Sequence, residues 1–469
     1  MSAKKKVLLL NLPGDQLYAR DKYCTSVSKA VYYWPQVDFI MLSGILKNNF
    51  DISVIDSIVE KFTEEKTLKL ILEQRPDIII FLTCSASWSS DFDFIKRVKD
   101  NLRDVHLIAN GGMLLFKGKL YMEKFPFLDA IIRDYTQPDI DKFLMGERND
   151  LNNLIYRDNG NIVVTQRSKN RSFSIPIPRH ELFPLKKYVF PLAKMPVYTA
   201  TVASIGCPYG CSFCIPATLP YRVRDVENFI DELKFIKFLN IHEILLQDST
   251  FGANREQGLE ICRRMIEEKF NFKWICQSRI DTVDEEILTL MKEAGCHAIQ
   301  FGIESGDEEV LKSMSKGITR EQSIKIFKLM RKIGIRTNGF FIIGMPKDTL
   351  ETIKKTIDFA LELDCDVASF SLPMPHPGTR LGEAVREDGH VLSEKDLFDD
   401  VKGSSIKISS IPNDEVWALR NLAYKRFYLR PTFILRKIFQ ITTFHEFKTH
   451  IWSFLDIFRK VLKKRYQQS

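Results

Sequence analysis

Three cysteines lie close together in one short segment, Gly206-Cys-Pro-Tyr-Gly-Cys-Ser-Phe-Cys214. Cys207, Cys211 and Cys214 follow one another at spacings of four and three residues. Thiolates are soft ligands that select zinc, copper(I) or iron–sulfur clusters. A closed structural zinc site needs four ligands, and no further Cys or His lies near this segment. Three ligands would leave one iron of a [4Fe-4S] cubane open, so we predict a catalytic cluster, with a zinc site as the alternative.

The segment that must position these cysteines, 198–385, alternates between strand-like and helix-like patterns. Its candidate strands are 199–204, 243–247, 273–277, 298–302, 337–343 and 367–372. Strands interleaved with helices in this number fit a partial (β/α)6 barrel. Active sites of βα barrels lie at the carboxyl ends of the strands. The cysteine segment directly follows the first strand, which places it at that end.

These features resemble the radical S-adenosylmethionine (radical SAM) enzymes over residues 198–380. Their signature is CxxxCxxC with an aromatic residue, here Phe213, before the last cysteine. The resemblance implies that three cysteines hold three irons, while the fourth iron binds the amine and carboxylate of S-adenosylmethionine. It implies reductive cleavage to methionine and a 5′-deoxyadenosyl radical, which removes a substrate hydrogen. An external electron donor of the flavodoxin or ferredoxin type is implied as well.

The resemblance also assigns S-adenosylmethionine contacts at the ends of successive strands. The implied residues are Phe213, Asp248, Ser278, Glu304, Ser305 and Gly344. Asp248 would lie near the methionine amine, Glu304 and Ser305 near the ribose, and Gly344 beside adenine. Structural alternatives stay open: Asp248 could cap a helix, Glu304 could cap a helix or form an ion pair, and Gly344 could relieve backbone crowding.

The N-terminal residues, 1–150, also alternate between short apolar runs and helical periods. The candidate strands are 7–12, 52–55, 77–82, 106–109 and 129–132, and the candidate helices include 39–48, 63–74 and 91–101. Uninterrupted apolar strands that alternate with helices indicate a parallel sheet covered on both faces. We therefore predict an α/β, doubly wound domain of the flavodoxin-like type. Ligands of such a sheet bind beyond the carboxyl ends of its strands.

A doubly wound domain ahead of this barrel resembles the cobalamin-dependent class of radical SAM enzymes. In that class the nucleotide tail of cobalamin enters the domain at the strand ends. Ser85, Gly111 and Gly112 match the small residues that line the tail pocket, where a flat heterocycle needs space. The resemblance thus implies cobalamin as a third cofactor, beside the cluster and S-adenosylmethionine.

Two departures from the cobalamin-dependent class bear on that cofactor. The DxHxxG motif, which donates a cobalt-binding histidine in many cobalamin proteins, is absent after the first strand, although many cobalamin-dependent radical enzymes also lack it. The strand 129–135 ends in Arg133-Asp134, where the class commonly has Gly-Glu. Methylthiotransferases share this domain order but bind a second cluster through three cysteines, and this domain has only Cys24 and Cys84.

Between the two domains, residues 151–197 predict a hairpin and a linker. Asn159-Gly160 is a strong signal for a two-residue hairpin turn. A stretch with several prolines follows, including Pro176, Pro178, Pro184 and Pro191, which is typical of a connection between domains. The sequence therefore divides into four parts: 1–150, 151–197, 198–385 and a C-terminal extension, 386–469.

The basic charge of the chain is concentrated in that extension. Residues 417–469 carry 12 Lys and Arg against two acidic residues, whereas the net charge of the whole chain is only +8. Apolar residues recur at helical spacing over 447–462, which predicts a basic amphipathic helix. It could dock on the barrel with its cations favoured by the helix dipole, or lie on an anionic membrane, each cation contributing ~1 kcal/mol. A nucleic-acid role is disfavoured because no binding module accompanies the charge.

We therefore expect a radical SAM enzyme that modifies an unactivated carbon with cobalamin, by methyl transfer, cyclisation or oxidation. The tail resembles those of hopanoid-modifying and bacteriochlorophyll ring-forming members, which suggests a small lipid-like or tetrapyrrole substrate. The alternatives are a cobalamin-independent radical SAM enzyme and a metal-stabilised protein that binds membrane or RNA. Scattered cysteines and the lack of any apolar run of ~18 residues favour a cytoplasmic protein, with peripheral membrane contact through the tail.

Overall fold

The computed structural model describes residues 4–21, 25–27, 32–387 and 408–440. The first strands are β1 (Lys6–Asn11), β2 (Tyr18–Arg20), β3 (Thr25–Val27), β4 (Asp51–Asp56), β5 (Ile78–Leu82), β6 (His106–Asn110), β7 (Ala130–Ile132), β8 (Leu154–Asp158) and β9 (Asn161–Val164). The helices among them are α1 (Val37–Leu46), α2 (Ser57–Glu60), α3 (Glu64–Gln74), α4 (Trp88–Asn101), α5 (Leu114–Lys124) and α6 (Asp139–Leu144).

The N-terminal strands form one sheet in the order β4-β1-β5-β6-β7-β8-β9, and its first five strands are parallel. This is the strand order of flavodoxin-like doubly wound folds. Every residue of β5 is buried because helices cover both faces of the sheet. The predicted doubly wound domain is confirmed.

The hairpin belongs to this sheet rather than standing apart from it. Strand β8 pairs antiparallel with β7, and β9 pairs antiparallel with β8. Leu154, Ile155 and Tyr156 are buried by this pairing. Without the hairpin, β7 would present an unpaired edge. The sheet therefore continues to Val164, beyond the expected end of the domain at residue 150, and the connection proper is the stretch that follows.

The second half forms a barrel-like sheet. Its strands and those of a small side sheet are β10 (Ser172–Phe173), β11 (Thr199–Thr201), β12 (Ser204–Ile205), β13 (Arg222–Arg224), β14 (Glu243–Leu246), β15 (Lys273–Ser278), β16 (Cys296–Glu304), β17 (Arg336–Ile342) and β18 (Val367–Ser371). The helices are α7 (Val226–Phe238), α8 (Arg255–Glu267), α9 (Glu285–Glu293), α10 (Glu308–Ser313), α11 (Arg320–Ile333), α12 (Leu350–Leu363) and α13 (Arg380–Glu387).

Six parallel strands follow one another in the order β11-β14-β15-β16-β17-β18. This confirms the predicted partial (β/α)6 barrel. Local sequence determines where two of its helices begin: Thr319 and Thr349 form capping boxes at the starts of α11 and α12. Because all six strands are parallel, their carboxyl ends meet at one rim, where the cysteine loop lies.

Two C-terminal helices, α14 (Asn413–Tyr428) and α15 (Pro431–Gln440), follow the barrel. Helix α14 packs on β18 through two tyrosines: the Tyr424 and Tyr428 hydroxyls hydrogen-bond to the backbone of Phe370 and Ala368. The amphipathic helix expected over 447–462 lies outside the described residues. None of the described helices has both the length and the hydropathy required to cross a bilayer.

Candidate active site

The cysteine loop is fixed by backbone contacts at the carboxyl rim of the barrel. Gly206, just before the first cysteine, has φ +71°, and a Cβ there would collide with the Pro220 carbonyl oxygen. Ser212 donates its N–H to the Met314 carbonyl at 2.9 Å, and Leu381 donates to the Ser212 carbonyl at 2.9 Å. The segments that follow β16 and β18 thus hold the loop through its backbone.

Cys207, Cys211 and Cys214 are free thiols on this loop, each partly buried. In the described part of the chain, no three His, Cys, Asp or Glu side chains lie close enough to share one metal ion. A single zinc must bind its ligands at ~2.3 Å, whereas each thiolate of a cubane binds its own iron and the three sulfurs stay apart. Three thiolates on one loop match the three protein ligands of a cubane with one open iron, whereas a closed zinc site needs a fourth protein ligand.

Burial affects the pKa of two of the three thiols. Burial, together with the neighbouring thiols, raises the pKa of Cys214 to about 12. Burial also raises the pKa of Cys211, although two nearby cations, Lys316 and Arg279, oppose that shift. Metals bind the thiolate form, so cluster assembly at this loop must displace protons.

Arg279, directly after β15, approaches the loop closely. Its Nη1 donates a hydrogen bond to the Cys211 sulfur at 3.4 Å. Its Nε donates to Asp281 Oδ1 and its Nη2 donates to Asp281 Oδ2, each at 2.8 Å. Nη2 also donates to the Lys316 carbonyl. The guanidinium carbon lies 3.9 Å from the ring centre of Tyr209, inside the cysteine loop. The side chain is therefore held rigidly, with one N–H directed at a ligand sulfur.

A buried ion pair lies on the same side of Cys211. The Lys316 ammonium donates to Glu304 Oε1 at 2.7 Å, and both side chains are less than a tenth exposed. Burial by itself would lower the pKa of Lys316, but Glu304 and Cys211 outweigh it and raise that pKa. Gly302 makes room for the pair, because a Cβ there would lie 2.6 Å from the Lys316 nitrogen. Of the sequence alternatives for Glu304, the structure shows the ion pair.

Asp248 supports the strand that leads into the loop. Its two oxygens accept hydrogen bonds from the Ala203 N–H at 2.7 Å and from the Ser204 hydroxyl at 2.5 Å. Burial raises its pKa to about 7, although those hydrogen bonds oppose the shift. Two residues further on, the Thr250 hydroxyl lies 3.5 Å from the Cys207 sulfur. Helix α8 has a different N-cap residue, so Asp248 does not cap it.

The other implied S-adenosylmethionine residues lie on the same rim, and each has protein neighbours. Phe213 packs against an apolar cluster beneath the loop. The Ser278 hydroxyl donates to the Phe251 carbonyl at 2.8 Å. Ser305 lies 3.1 Å from a threonine hydroxyl of α12. Gly344 has φ +97°, and a Cβ there would lie 2.7 Å from a valine of α14.

At the N-terminal sheet, Ser85, Gly111 and Gly112 are buried together at the carboxyl ends of β5 and β6. Gly111 also has a structural role, because a Cβ there would collide with the Thr83 carbonyl oxygen. The adjacent Asn110 is fully buried, and its Oδ1 has no hydrogen-bond partner among the described residues. A buried acceptor without a donor beside small residues fits a polar heterocyclic ligand entering at this edge.

Two contacts join the carboxyl edge of the N-terminal sheet to the half of the chain that carries the cysteine loop. Asp134, after β7, forms an ion pair with the buried Arg222 of β13. Phe116 of α5 packs on Gly378, in the loop after β18, so closely that a Cβ at Gly378 would collide with its ring. Carboxyl ends of both sheets are therefore brought near one another, as a ligand shared between the two domains would require.

The inner face of the barrel carries a row of carboxamides. Gln277, Gln300 and Asn338 are register neighbours on β15, β16 and β17. Asn338 donates to Gln300 Oε1 at 3.2 Å, and its own Oδ1 is buried with no partner in the part of the chain that the structure describes. The next residue on β16, Phe301, packs outward on Phe327 of α11, so the carboxamides face inward. They give the chamber hydrogen-bonding groups beneath the cysteine rim.

Sequence reasoning missed several residues around the cysteines. It gave Arg279 no role, and it overlooked Tyr209 and Lys316. The position of Tyr209 inside the cysteine loop was a usable signal, since aromatic faces attract guanidinium groups. For Lys316 there was none, because its partner Glu304 lies on a different element.

Comparison with known proteins agrees with this geometry. A family model described as the radical SAM superfamily matches residues 201–360. An uncharacterized methyltransferase of Pyrococcus horikoshii is 30% identical over 420 residues, covering 87% of this chain and 90% of that protein. The anaerobic magnesium-protoporphyrin IX monomethyl ester cyclase of Rubrivivax gelatinosus is 23% identical over 440 residues, covering 89% and 78%.

Among solved structures, the radical S-adenosylmethionine methyltransferase TsrM of Kitasatospora setae, with cobalamin and a [4Fe-4S] cluster bound, superimposes with a TM-score of 0.67. It shares 17% sequence identity, and the match covers 98% of this chain and all of the other. At that identity the likeness shows the fold alone.

Proposed function

The chain belongs to the radical SAM superfamily, and on that premise we propose that it modifies an unactivated carbon, with cobalamin as a further cofactor. Cys207, Cys211 and Cys214 would hold a [4Fe-4S] cluster with one open iron. When bound, the cluster supplies the electron that cleaves S-adenosylmethionine. The observation that carries this proposal is the preorganised rim, where three free thiols, Arg279 and the Lys316–Glu304 pair meet above the barrel chamber.

The residues of this chain would orient the cofactors and exclude water. Backbone hydrogen bonds fix the cysteine loop, so cluster binding need not order it. We expect Asp248, Ser278, Glu304, Ser305 and Gly344 to shape the S-adenosylmethionine site. Asp248 and Glu304 would act mainly through their neighbours, because their carboxylates already bond to protein groups.

The test is anaerobic reconstitution with iron and sulfide, followed by an assay for 5′-deoxyadenosine with dithionite. We expect cluster absorbance and S-adenosylmethionine cleavage in the wild type and neither in Cys211→Ala. A reduced flavodoxin or ferredoxin should replace dithionite if the natural donor is of that type. A wild-type protein that holds zinc instead of iron would contradict the proposal and favour a metal-stabilised binding protein.

Cobalamin would bind between the two carboxyl edges. Support comes from the small residues Ser85, Gly111 and Gly112, from the buried acceptor on Asn110, and from the contacts that bring this edge to the rim. We expect the protein to retain one hydroxocobalamin per chain through gel filtration. Ser85→Trp should reduce retention, because the bulky ring would fill the tail pocket, while the cluster stays. Cluster and cleavage without retained cobalamin would favour the cobalamin-independent alternative.

The substrate is proposed to be a small molecule with hydrogen-bonding groups on an apolar frame. The inward carboxamides of Gln277, Gln300 and Asn338 favour a tetrapyrrole with carboxylate or keto groups over a pure hydrocarbon. Protoporphyrin is a suitable probe, since its absorbance shifts on binding. Gln300→Leu should weaken that binding several-fold. Equal binding by wild type and variant would count against a role for the carboxamides.

Peripheral membrane contact is a second proposal, carried by the C-terminal helices. Leu422 on α14, Leu429 between the two helices, and Ile434 and Leu435 on α15 are exposed. The basic residues of 417–469 surround them in sequence. We expect the protein to sediment with anionic liposomes and to remain in the supernatant with zwitterionic ones. A variant truncated after residue 440 should sediment less. No change on truncation would contradict the role assigned to the tail.

A further inference from the structure

Arg279 does more than complete the rim, and the inference that follows rests on the proposed function. We propose that Arg279 is a positioning residue that sets the reduction potential of the cluster through its hydrogen bond to Cys211. Reduction potentials of iron–sulfur clusters depend on hydrogen bonds to their sulfurs and on exposure to solvent. In the described part of the chain, Arg279 is the one cation whose N–H donates to a ligand sulfur.

The other contacts of Arg279 leave one nitrogen, Nη1, for this purpose. Asp281 accepts hydrogen bonds from Nε and Nη2, and the Lys316 carbonyl accepts a second hydrogen bond from Nη2. Tyr209 covers one face of the guanidinium. Nη1 is therefore directed at Cys211 from the side of the guanidinium opposite Asp281. The side chain is only 5% exposed, so solvent screens this interaction weakly.

The nearby cation Lys316 is a weaker candidate for the same role. Its ammonium already bonds to Glu304 at 2.7 Å, and no hydrogen bond from it to a cysteine sulfur is present. Lys316 acts on Cys211 through its charge alone, and the charge of Glu304 opposes that effect. Arg279 also has a carboxylate partner, Asp281, but the Nη1 group of Arg279 is directed at the Cys211 sulfur. Charge-assisted hydrogen bonds of this kind are about twice as strong as neutral ones.

The direction of the effect follows from the charge of the cluster. Reduction adds one electron, so the negative charge on the ligand sulfurs increases. A donated N–H from a cation then stabilises the reduced form more than the oxidised form. Removing it should lower the reduction potential and make the cluster harder to reduce. Fewer molecules would then be reduced at any fixed potential of the electron donor.

The experiment is a redox titration of the reconstituted protein, followed by the electron paramagnetic resonance signal of the reduced cluster. We expect Arg279→Gln to lower the ratio of reduced to oxidised cluster about tenfold at a fixed potential, which is about 59 mV for one electron. Arg279→Lys keeps the charge but cannot bond to Asp281 and to the sulfur at once, so we expect an intermediate shift. The Arg279→Lys variant also tests the proposal if Arg279→Gln does not fold.

Arg380→Gln is the matched control. Arg380 is exposed and donates to the Gly210 carbonyl in the same loop, not to a sulfur. Its loss should leave the potential unchanged. An unshifted potential in Arg279→Gln, or equal shifts in both variants, would overturn the proposal. So would a folded Arg279→Gln protein that holds no iron, because the residue would then serve assembly. A wild type without a cluster would instead defeat the proposed function itself.

Discussion

Lys316 and Glu304 form a buried ion pair across 2.7 Å, and Glu304 adopts a left-handed backbone conformation with φ +66°. Only a few per cent of residues other than glycine have positive φ, and such strain persists where the surroundings enforce it. Here the partner is Lys316, and Gly302 leaves the space that the two charged groups fill. The pair thus couples the end of β16 to the segment that supports the cysteine loop.

Lys316→Met should destabilise the apo protein by about 3 kcal/mol, because it leaves a buried carboxylate without its partner. Urea unfolding measures this. The double variant Lys316→Met/Glu304→Gln should recover much of the loss. Lys332→Met is the matched control, since Lys332 pairs with Glu285 on the surface and its loss should be undetectable. Equal losses in the free energy of unfolding for Lys316→Met and Lys332→Met would show that the buried ion pair stabilises the fold no more than the surface pair does.

Gly378→Ala should weaken the contact between the two domains. The new methyl group would collide with the Phe116 ring, in addition to the strain of alanine at φ +77°. Gly160→Ala isolates that strain, because Gly160 has φ +82° with nothing within 4 Å of its Cβ position. We expect Gly160→Ala to cost about 1 kcal/mol and Gly378→Ala clearly more, by thermal unfolding. Phe116→Ala should relieve the excess; failure to do so would contradict the clash.

Asp248 should make the protein less stable as the pH rises. Its folded-state pKa of about 7 lies above the ordinary value of 3.8, so the folded state binds the proton more tightly than the unfolded state. Its contribution is present in full below about pH 4 and is lost as the pH rises through about 7, at about 1.4 kcal/mol per pKa unit. Urea midpoints between pH 4 and 8 measure this dependence.

Asp248→Asn should flatten that pH dependence, because an amide does not titrate. Asp93→Asn, which changes an exposed carboxylate of α4, should leave the dependence as it is in the wild type. If the Asp248→Asn profile kept the wild-type slope, another group would be responsible. Two buried candidates would then be Asp56, whose pKa burial raises to about 6, and Asp348, whose pKa burial also raises.

Each single substitution of Cys207, Cys211 or Cys214 by alanine should abolish iron binding and 5′-deoxyadenosine formation. A cubane with only two protein ligands loses its anchorage, whereas the fold does not depend on these half-buried thiols. Cys262→Ala is the control: Cys262 is fully buried between α8 and the sheet and should affect stability without affecting the iron content. Iron retained by a loop variant would mean that the cysteines do not act together.

The order of elements and the cluster ligands could be predicted from the sequence because both depend on local patterns. Buried parallel strands such as 78–82 are continuous apolar runs, which identified the sheet and the barrel. The three cysteines lie within eight positions, so their chemistry could be recognised before the fold was known. The hairpin was also predicted, but its pairing with β7 depends on an edge that no local pattern reveals.

Only the tertiary structure decided which side chains surround the cysteines. Arg279 and Lys316 lie 68 and 105 positions beyond Cys211, and parallel strands bring them to one rim. The sequence assigned Asp248 to the S-adenosylmethionine site, and the structure adds the hydrogen bonds that it accepts from Ala203 and Ser204. Contacts of this kind depend on which strands are neighbours and which rotamers pack. Sequence patterns set the secondary structure and the ligand types, whereas long-range packing sets the charges that act on the site.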